Sequence, residues 1–267
     1  MSDDSAFAII ENARRIWAIG SIHGEADKLA ALHERLFSHL APGDRLIYLG
    51  NYLGYGPSII ETVDEILSFR RKFLARPPFT DADDHILLRG SQEEMWQRIL
   101  QLQFAVDPIK VVTWMAERGL ASTLAAYAGE SPQEILGQRA GPLTIAQWTG
   151  SVRSAMQERP GHTPFMSALK RAAICRGNGL LFVNAGVDIS RPVEEQSDGF
   201  WWAGRSFSDI DTPYGEFTKI VRGFDPDHEG FNATEFTVTV DGGCGFDGPL
   251  IAVGFAGNGE IFEQLEA

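Results

Sequence analysis

Apolar and polar positions follow two different periods in the first part of the chain. A short apolar run ending in glycine, RIWAIG, is followed by leucines at helical spacing, namely Leu29, Leu32, Leu36 and Leu40. A compact apolar run bounded by glycine is typical of a buried strand, whereas apolar residues three and four apart indicate an amphipathic helix. The pattern therefore predicts a strand, a loop and a helix.

The same unit occurs twice more. The run DRLIYLG from Asp44 precedes the loop NYLGYGPS and the helical pattern IIETVDEILSFRRKFL. The run HILLRG, which ends at Gly90, precedes the short loop SQ and a helical pattern that starts at Glu93. Three successive units of this kind predict parallel strands whose loops collect at one edge of a sheet, where α/β proteins bind ligands.

The second half of the chain changes character twice. Helical spacing interrupted by prolines runs through residues 94–170, and we interpret this stretch as a helical insertion within a single domain spanning 1–267. The segment AAICRGNGLLFVNAGVD then predicts a hairpin around Gly177, Asn178 and Gly179. The remainder is predicted to be rich in strands.

Composition and charge narrow the class of protein. The chain has 267 residues, of which 44% are apolar and 22% charged, as in globular domains. A net charge of −13 repels nucleic-acid phosphates and anionic membranes. The two cysteines, Cys175 and Cys244, are too few for a disulfide framework. We expect a cytoplasmic protein that binds neither nucleic acid nor membranes.

Five glycine-containing loops follow the strands in a defined order: GSIHG, GNYLGYG, LRGSQE, FVNAG and GFDP. This order resembles the calcineurin-like metallophosphoesterase superfamily, specifically its branch of serine/threonine protein phosphatases and symmetrical diadenosine tetraphosphatases. In that family the corresponding loops have the sequences Gly-Asp-x-His-Gly, Gly-Asp-x-Val-Asp-Arg-Gly, Arg-Gly-Asn-His-Glu, Val-His-Ala-Gly and Gly-His-Thr-Pro. The segment VDGGCGFDGPLIAV also resembles the closing segment of the family.

The resemblance implies an α/β fold, a four-layer sandwich of two mixed β-sheets flanked by helices, with the helical insertion added. It also implies a two-metal site, since the family activates water with two divalent ions such as Mn or Fe/Zn, roughly 3.5–4 Å apart. The family's metal-binding and catalytic positions fall on Ser21, His23, Asn51, Ser91, Gln92, Asn184 and Phe224.

Only one of these positions, His23, keeps the residue type of the family. Asn51 has nearly the shape of a bridging aspartate but lacks its charge, and Phe224 cannot bind a metal at all. Two close dications need anionic and imidazole ligands to offset their repulsion. The sequence therefore predicts a degenerate site, with no metal cofactor and no confident catalytic residue.

Two arginines near these loops are candidate ligand-binding residues, together with His23. Arg89 keeps the family's position before the third loop, and Arg205 lies in WWAGRSF, which resembles the family's Trp-x-Arg segment with a spacing changed by one residue. Guanidinium groups suit phosphate, although structural ion pairs would explain both arginines equally well. The neighbouring aromatic residues, Phe200, Trp201 and Trp202, either pack internally or form an exposed protein-binding cluster.

The favoured hypothesis is a catalytically inactive metallophosphatase-like protein that binds a phosphorylated ligand or, through its helical insertion, a protein partner. The alternative is a divergent metal-dependent phosphoesterase, a protein phosphatase or dinucleoside polyphosphate hydrolase, that uses His23 with other acidic or imidazole groups. The candidates for those groups are Glu93, Asp225, Asp227 and His228. A third possibility is a structural subunit, which a large apolar patch over the cleft mouth would indicate.

One further motif matches the family but lies in the wrong order. Gly161, His162, Thr163 and Pro164 reproduce Gly-His-Thr-Pro, yet they precede the loop of Asn184 and lie inside the insertion. We interpret this match as a coincidence and expect a helix to start at Pro164.

Overall fold

A computed structural model of the chain describes residues 6–77, 81–129 and 141–267. The strands are β1 (Phe7–Glu11), β2 (Arg15–Ile19), β3 (Arg45–Tyr48), β4 (His85–Leu87), β5 (Ala172–Arg176), β6 (Leu180–Val183), β7 (Lys219–Arg222), β8 (Asn232–Ala233), β9 (Thr237–Thr239), β10 (Ile251–Ala256) and β11 (Ile261–Glu266). The helices are α1 (Ala26–His39), α2 (Ile59–Leu74), α3 (Ser91–Ile99), α4 (Pro108–Met115), α5 (Ala121–Ala128), α6 (Pro142–Gln157), α7 (His162–Ala168) and α8 (Gly199–Trp202).

The first sheet contains the three strands that the opening pattern predicts. Its order is β11-β10-β2-β3-β4, and β2, β3 and β4 pair in parallel. Because α1 and α2 connect these strands, the loops after all three strands lie at the same edge of the sheet. The predicted strand–loop–helix units are therefore confirmed, and they place GSIHG, GNYLGYG and LRGSQE side by side.

The second sheet has the order β1-β5-β6-β7-β9-β8 and mixes parallel with antiparallel pairs. The predicted hairpin is confirmed, since β5 and β6 pair antiparallel on either side of Gly177 and Gly179. Both glycines have positive φ, +78° and +64°, which a turn of this kind requires.

Three hydrophobic clusters define the layers. One lies between the two sheets and includes Ile47, Phe182 and Val253. A second packs α1, α2 and the insertion helices against the outer face of the first sheet, and a third covers the outer face of the second sheet with residues such as Phe200. The predicted four-layer sandwich of two mixed sheets flanked by helices is confirmed.

The described residues between β4 and β5 are mostly helical, with two boundaries that differ from prediction. The third helix starts at Ser91 rather than Glu93, and α7 starts at His162 rather than Pro164. Gly161 precedes α7 with φ of +87°, and a side chain there would press on Leu67. None of the described helices is both long and apolar enough to cross a membrane.

Candidate functional site

The seven sequence-mapped positions meet at the carboxyl ends of the strands. The side-chain amide of Asn51 donates to Ser21 Oγ over 3.2 Å, and the backbone N–H of Ser91 donates to Asn184 Oδ1 over 3.2 Å. The rings of His23 and Phe224 lie 5.5 Å apart, centroid to centroid. The cluster of Ser21, His23, Asn51, Ser91, Gln92, Asn184 and Phe224 is called the cleft below.

Asn51 occupies the centre of the cleft and uses both ends of its amide. Its Oδ1 accepts hydrogen bonds from Ser91 Oγ at 3.2 Å and from the backbone N–H of Gln92 at 3.1 Å, while its Nδ2 donates to Ser21 Oγ. The residue is fully buried and has φ of +56°, a left-handed conformation that asparagine tolerates better than most residues. A position that resembles a bridging metal ligand thus forms a neutral hydrogen-bonded link between three loops.

Asn184 makes a second link of the same kind. Its Nδ2 donates to the carbonyl of Leu49 over 2.8 Å, and its Oδ1 accepts from Ser91. Its own backbone carbonyl accepts from the N–H groups of Gly223 and Phe224, both at 2.9 Å. These contacts tie the loop of Phe224 to β3 and α3 without any charged group.

Glu93 lies beside the cleft and binds the backbone of two of its loops. Its carboxylate accepts four backbone hydrogen bonds, from Gly90 at 2.8 Å, Asn51 at 2.9 Å, Tyr52 at 2.8 Å and Leu53 at 3.1 Å. It is completely buried, and desolvation raises the pKa of its carboxyl although the hydrogen bonds oppose that shift. Both oxygens are committed to the backbone, so Glu93 is not available as a metal ligand.

The position of Glu93 in the sequence indicates its capping role. It lies three residues after Gly90, the residue that precedes α3, and a glutamate at this position commonly caps a helix by accepting from that backbone N–H. A side chain on Gly90 would overlap Asn51 Oδ1, so the loop and the cap pack against each other without spare room.

His23 lies in an aromatic enclosure. Its ring approaches Tyr55 at 5.2 Å, Phe246 at 5.4 Å and Phe224 at 5.5 Å, all edge to face. Among the residues that the structure describes, neither ring nitrogen has a hydrogen-bond partner, and desolvation lowers the pKa of His23 to about 4. The imidazole is therefore neutral near pH 7 and is surrounded by rings, none of which is a ligand for a divalent ion.

Two of the other three acidic and imidazole candidates, Asp225 and His228, have partners nearby. Asp225 Oδ1 pairs with Arg222 Nη2 at 3.1 Å, and Asp227 is exposed. His228 stacks on Phe246 with 3.9 Å between centroids, and its Nδ1 lies 3.4 Å from Asp241 Oδ2.

Asp241 is a buried carboxylate that the sequence analysis did not single out. Its oxygens accept from the backbone N–H groups of Asp225 at 2.7 Å and Gly243 at 2.8 Å. It also partly offsets the desolvation of His23, since its negative charge raises the pKa of that imidazole. Like Glu93, it serves chiefly to hold backbone in place.

The two candidate arginines have different surroundings. Arg89 Nη1 lies 3.3 Å from Glu94 Oε2, and Glu94 also pairs with Arg98 at 3.0 Å. The backbone carbonyl of Arg89 accepts from Trp201 Nε1 at 2.8 Å. Arg205 is exposed, on the turn that follows α8. The structure thus places Arg89 in an ion-pair network and leaves Arg205 facing solvent.

The aromatic residues around Arg205 divide between core and surface. Phe200 and Trp201 are buried, whereas Trp202 is 41% exposed. Trp202 contacts Trp114 of α4, which is 40% exposed, with 5.9 Å between ring centroids. This pair joins the insertion to the segment beside the cleft.

The insertion also covers the cleft directly through the turn at residues 116–120. Gln92 Nε2 donates to the carbonyl of Arg118 over 2.8 Å, and the N–H of Tyr55 donates to the carbonyl of Gly119 over 3.1 Å. The N–H of Gly54 donates to Thr123 Oγ1 over 3.0 Å. Gly54 and Tyr55 stand where the family pattern of the second loop has Asp and Arg. Here the backbone N–H groups of both residues donate to the insertion.

His162 of the misplaced Gly-His-Thr-Pro match lies away from the cleft. Its ring hydrogen-bonds Tyr127 Oη at 2.6 Å and Asp64 Oδ1 at 3.1 Å, which joins α7 to α5 and α2. Its contacts are those of a packing residue within the helical layer.

The residues of the cleft do not fit a pair of divalent metals. Within the described part of the chain, no group of three or more His, Cys, Asp or Glu side chains could hold a metal ion. The available oxygens of Asn51, Asn184 and Glu93 already accept hydrogen bonds, and no carboxylate occupies a bridging position. Two dications would lack the negative charge that their proximity requires.

Three solved structures resemble this chain to different degrees. One is the crystal structure of a protein provisionally described as a diadenosine tetraphosphatase, which is 16% identical, covers 98% of this chain and 98% of its own, and has a TM-score of 0.55. A protein serine/threonine phosphatase from Saccharomyces cerevisiae, with similarity to the human phosphatase PP5, is 14% identical, covers 93% of this chain and 76% of its own, and has a TM-score of 0.49.

A metallophosphoesterase from Sphaerobacter thermophilus is 14% identical, covers 96% of this chain and 88% of its own, and has a TM-score of 0.42. Neither a protein-family model nor a curated protein sequence matches the chain. The fold assignment rests on the first of the three structures. The chain shares its fold with that protein, as the order of its loops predicts.

Proposed function

We propose that this chain is a catalytically inactive metallophosphatase-like protein, a pseudophosphatase, that acts by binding and not by hydrolysis. The observation that supports this most is the use of Asn51. Its amide oxygen accepts from Ser91 and Gln92 where two-metal chemistry needs an anionic bridge. The four backbone hydrogen bonds to Glu93 add support, because they remove the nearest carboxylate from metal binding.

The exposed aromatic pair favours a protein partner over a phosphorylated ligand. Trp114 and Trp202 lie in contact beside the cleft, and the guanidinium of Arg118 lies 4.3 Å from the Trp114 ring centre. Tryptophan and arginine are the residue types most enriched among the energetic centres of protein interfaces. Arg89, by contrast, is already paired with Glu94 and offers less to a phosphate.

A hydrolase assay tests the proposal that the chain is catalytically inactive. The purified chain is incubated with manganese and an aryl phosphate, and the release of the aryl alcohol is measured. The same assay is run on His23→Ala. The control is His39→Ala, which changes a partly exposed histidine paired with Glu263. We expect no turnover above the protein-free reaction in any of the three. Turnover that is lost in His23→Ala and retained in His39→Ala would establish the divergent phosphoesterase instead.

A binding assay separates the two classes of ligand. The chain is titrated with inorganic phosphate and with a phosphoserine peptide, and we expect no saturable binding of either at millimolar concentration. Saturable binding that Arg205→Gln or Arg89→Gln abolishes would favour the phosphorylated ligand over the protein partner.

A further inference from the structure

A cavity of about 690 Å³ lies at the open edge of the sandwich, away from the cleft residues. Two strands at the ends of their sheets, β1 and β4, form one side, and α2 and α7 form the other. Its apolar lining includes Ile9, Leu67 and Phe165. The volume is that of sites for small organic ligands, which range from about 300 to 1,000 Å³.

His85 of β4 lines this cavity and is 5% exposed. Its ring nitrogens have no hydrogen-bond partner within the described ranges, and its ring neighbours are Tyr48 at 5.2 Å and Phe73 at 5.7 Å. Desolvation, assisted by the charge of Arg70, lowers the pKa of His85 to about 3, so the ring is neutral and carries one donor and one acceptor. Both nitrogens are inaccessible to solvent, so the ring contributes to the cavity wall and does not offer a hydrogen-bonding group to a ligand.

The charged groups that line the cavity are predominantly basic. Arg70 and Lys170 contribute two positive charges and Asp83 one negative charge, in a chain whose net charge is −13. Arg70 forms no ion pair with any residue in the described ranges, and it is close enough to His85 to influence that imidazole. A guanidinium at the rim of an apolar cavity suits a carboxylate or phosphate head group.

We propose that this cavity binds a small amphipathic anion, with its apolar body against Ile9, Leu67 and Phe165 and its head group at Arg70. The inference is independent of the proposed function, because the cavity shares no residue with the cleft. Tyr52 lies between the two regions: its ring packs 5.1 Å from that of Phe165, and its backbone N–H donates to Glu93.

Calorimetric titration of the full chain with three probes of equal chain length tests the proposal. The probes are decanoate, decyl phosphate and decanol, all below the concentrations at which they aggregate. We expect one anion per chain, and affinity for decanol weaker by on the order of tenfold, since one charge-assisted hydrogen bond is lost. The tighter of the two anions identifies the head group as carboxylate or phosphate. Equal binding of decanol, or no binding of any probe, would overturn the proposal.

Two variants and a matched control locate the site. Arg70→Gln removes the proposed head-group contact and is expected to weaken both anions to the level of decanol. Arg71→Gln makes the same change on the next residue of α2, which is exposed and does not line the cavity, and should leave binding unchanged. Ala168→Phe places a ring in the cavity and should abolish binding of all three probes. Anion binding that survives both Arg70→Gln and Ala168→Phe in folded protein would refute this site.

Discussion

His23 and His85 are both buried beside aromatic rings, and among the described residues neither has a hydrogen-bond partner for its ring nitrogens, yet only His85 lines a cavity. His23 keeps a residue type of the phosphatase pattern but is enclosed by three aromatic rings. His85 matches no motif, yet it lines a cavity. The comparison teaches that a retained motif residue can lose its chemistry through its neighbours, while a strand residue that matches no motif can form part of a cavity wall.

The largest expected effect on stability concerns Glu93, whose carboxylate accepts hydrogen bonds from the backbone of the cleft loops. Glu93→Gln replaces one acceptor oxygen by a donor that faces backbone N–H groups, so two of the four hydrogen bonds are lost. We expect the free energy of unfolding to fall by about 3 kcal/mol in urea denaturation. Glu117→Gln, at an exposed position, is the control and should change it by less than about 0.5 kcal/mol. Equal effects would show that the cleft does not depend on Glu93.

A single substitution that restores a residue of the family pattern, Asn51→Asp, should also destabilise the protein. Asn51→Asp places a buried carboxylate beside Glu93 and removes the donor to Ser21 Oγ. The expected loss is about 2 to 3 kcal/mol at pH 7, because a buried charge lacks a counterion. Manganese should not restore the lost stability. Asn232→Asp, which is exposed, is the control. A stability gain for Asn51→Asp on adding manganese would contradict the account.

The two histidines should impose the same pH dependence despite their different surroundings. Their pKa values are lowered from 6.5 to about 4 for His23 and about 3 for His85, so below pH 6.5 the unfolded chain takes up protons that the folded chain does not. Stability therefore falls as the pH drops from 7 to 5, by about 2 kcal/mol for each histidine.

Replacement by phenylalanine tests this dependence. His23→Phe and His85→Phe should each remove about 2 kcal/mol of the loss between pH 7 and pH 5, measured by urea denaturation at both pH values. Asn232→Phe, at an exposed position without a titratable side chain, is the control and should leave the pH dependence unchanged. Unchanged pH dependence in either buried variant would mean that the corresponding ring titrates normally.

The smallest expected effect concerns the insertion. Gln92→Met removes the 2.8 Å hydrogen bond to the carbonyl of Arg118 and also removes the unpartnered Oε1 of Gln92. We expect a stability loss of no more than about 1 kcal/mol. Hydrogen exchange should accelerate at residues 116–120 and stay unchanged in β2. Identical exchange at 116–120 would show that the turn is held by other contacts.

Local patterns predicted the scaffold of the cleft well. The strands β2, β3 and β4, the helices between them and the hairpin at Gly177 all follow from periodicity and turn residues. The start of α3 at Ser91 does not follow from apolar periodicity, because it depends on the cap that Gly90 and Glu93 form, a spacing that is visible in the sequence.

Other features could not be predicted, because they depend on contacts between distant segments. The aromatic enclosure of His23 needs Tyr55, Phe224 and Phe246, which lie on three separate loops. The backbone hydrogen bonds to Asp241 depend in the same way on how the loop of Asp225 packs against it. The cavity beside His85 depends on β1, a strand that the hydrophobic pattern did not predict, and on the ends of two sheets meeting.

The central claim is that the cleft has exchanged metal ligands for hydrogen bonds and aromatic packing. Its most direct test is to measure the manganese stoichiometry of the natural chain and of one combined variant. That variant carries Ser21→Asp, Asn51→Asp, Ser91→Asn, Gln92→His, Asn184→His and Phe224→His. We expect no stoichiometric metal in the natural chain and bound metal in the folded variant. Stoichiometric manganese in the natural chain, or a folded variant that stays free of metal, would contradict the account.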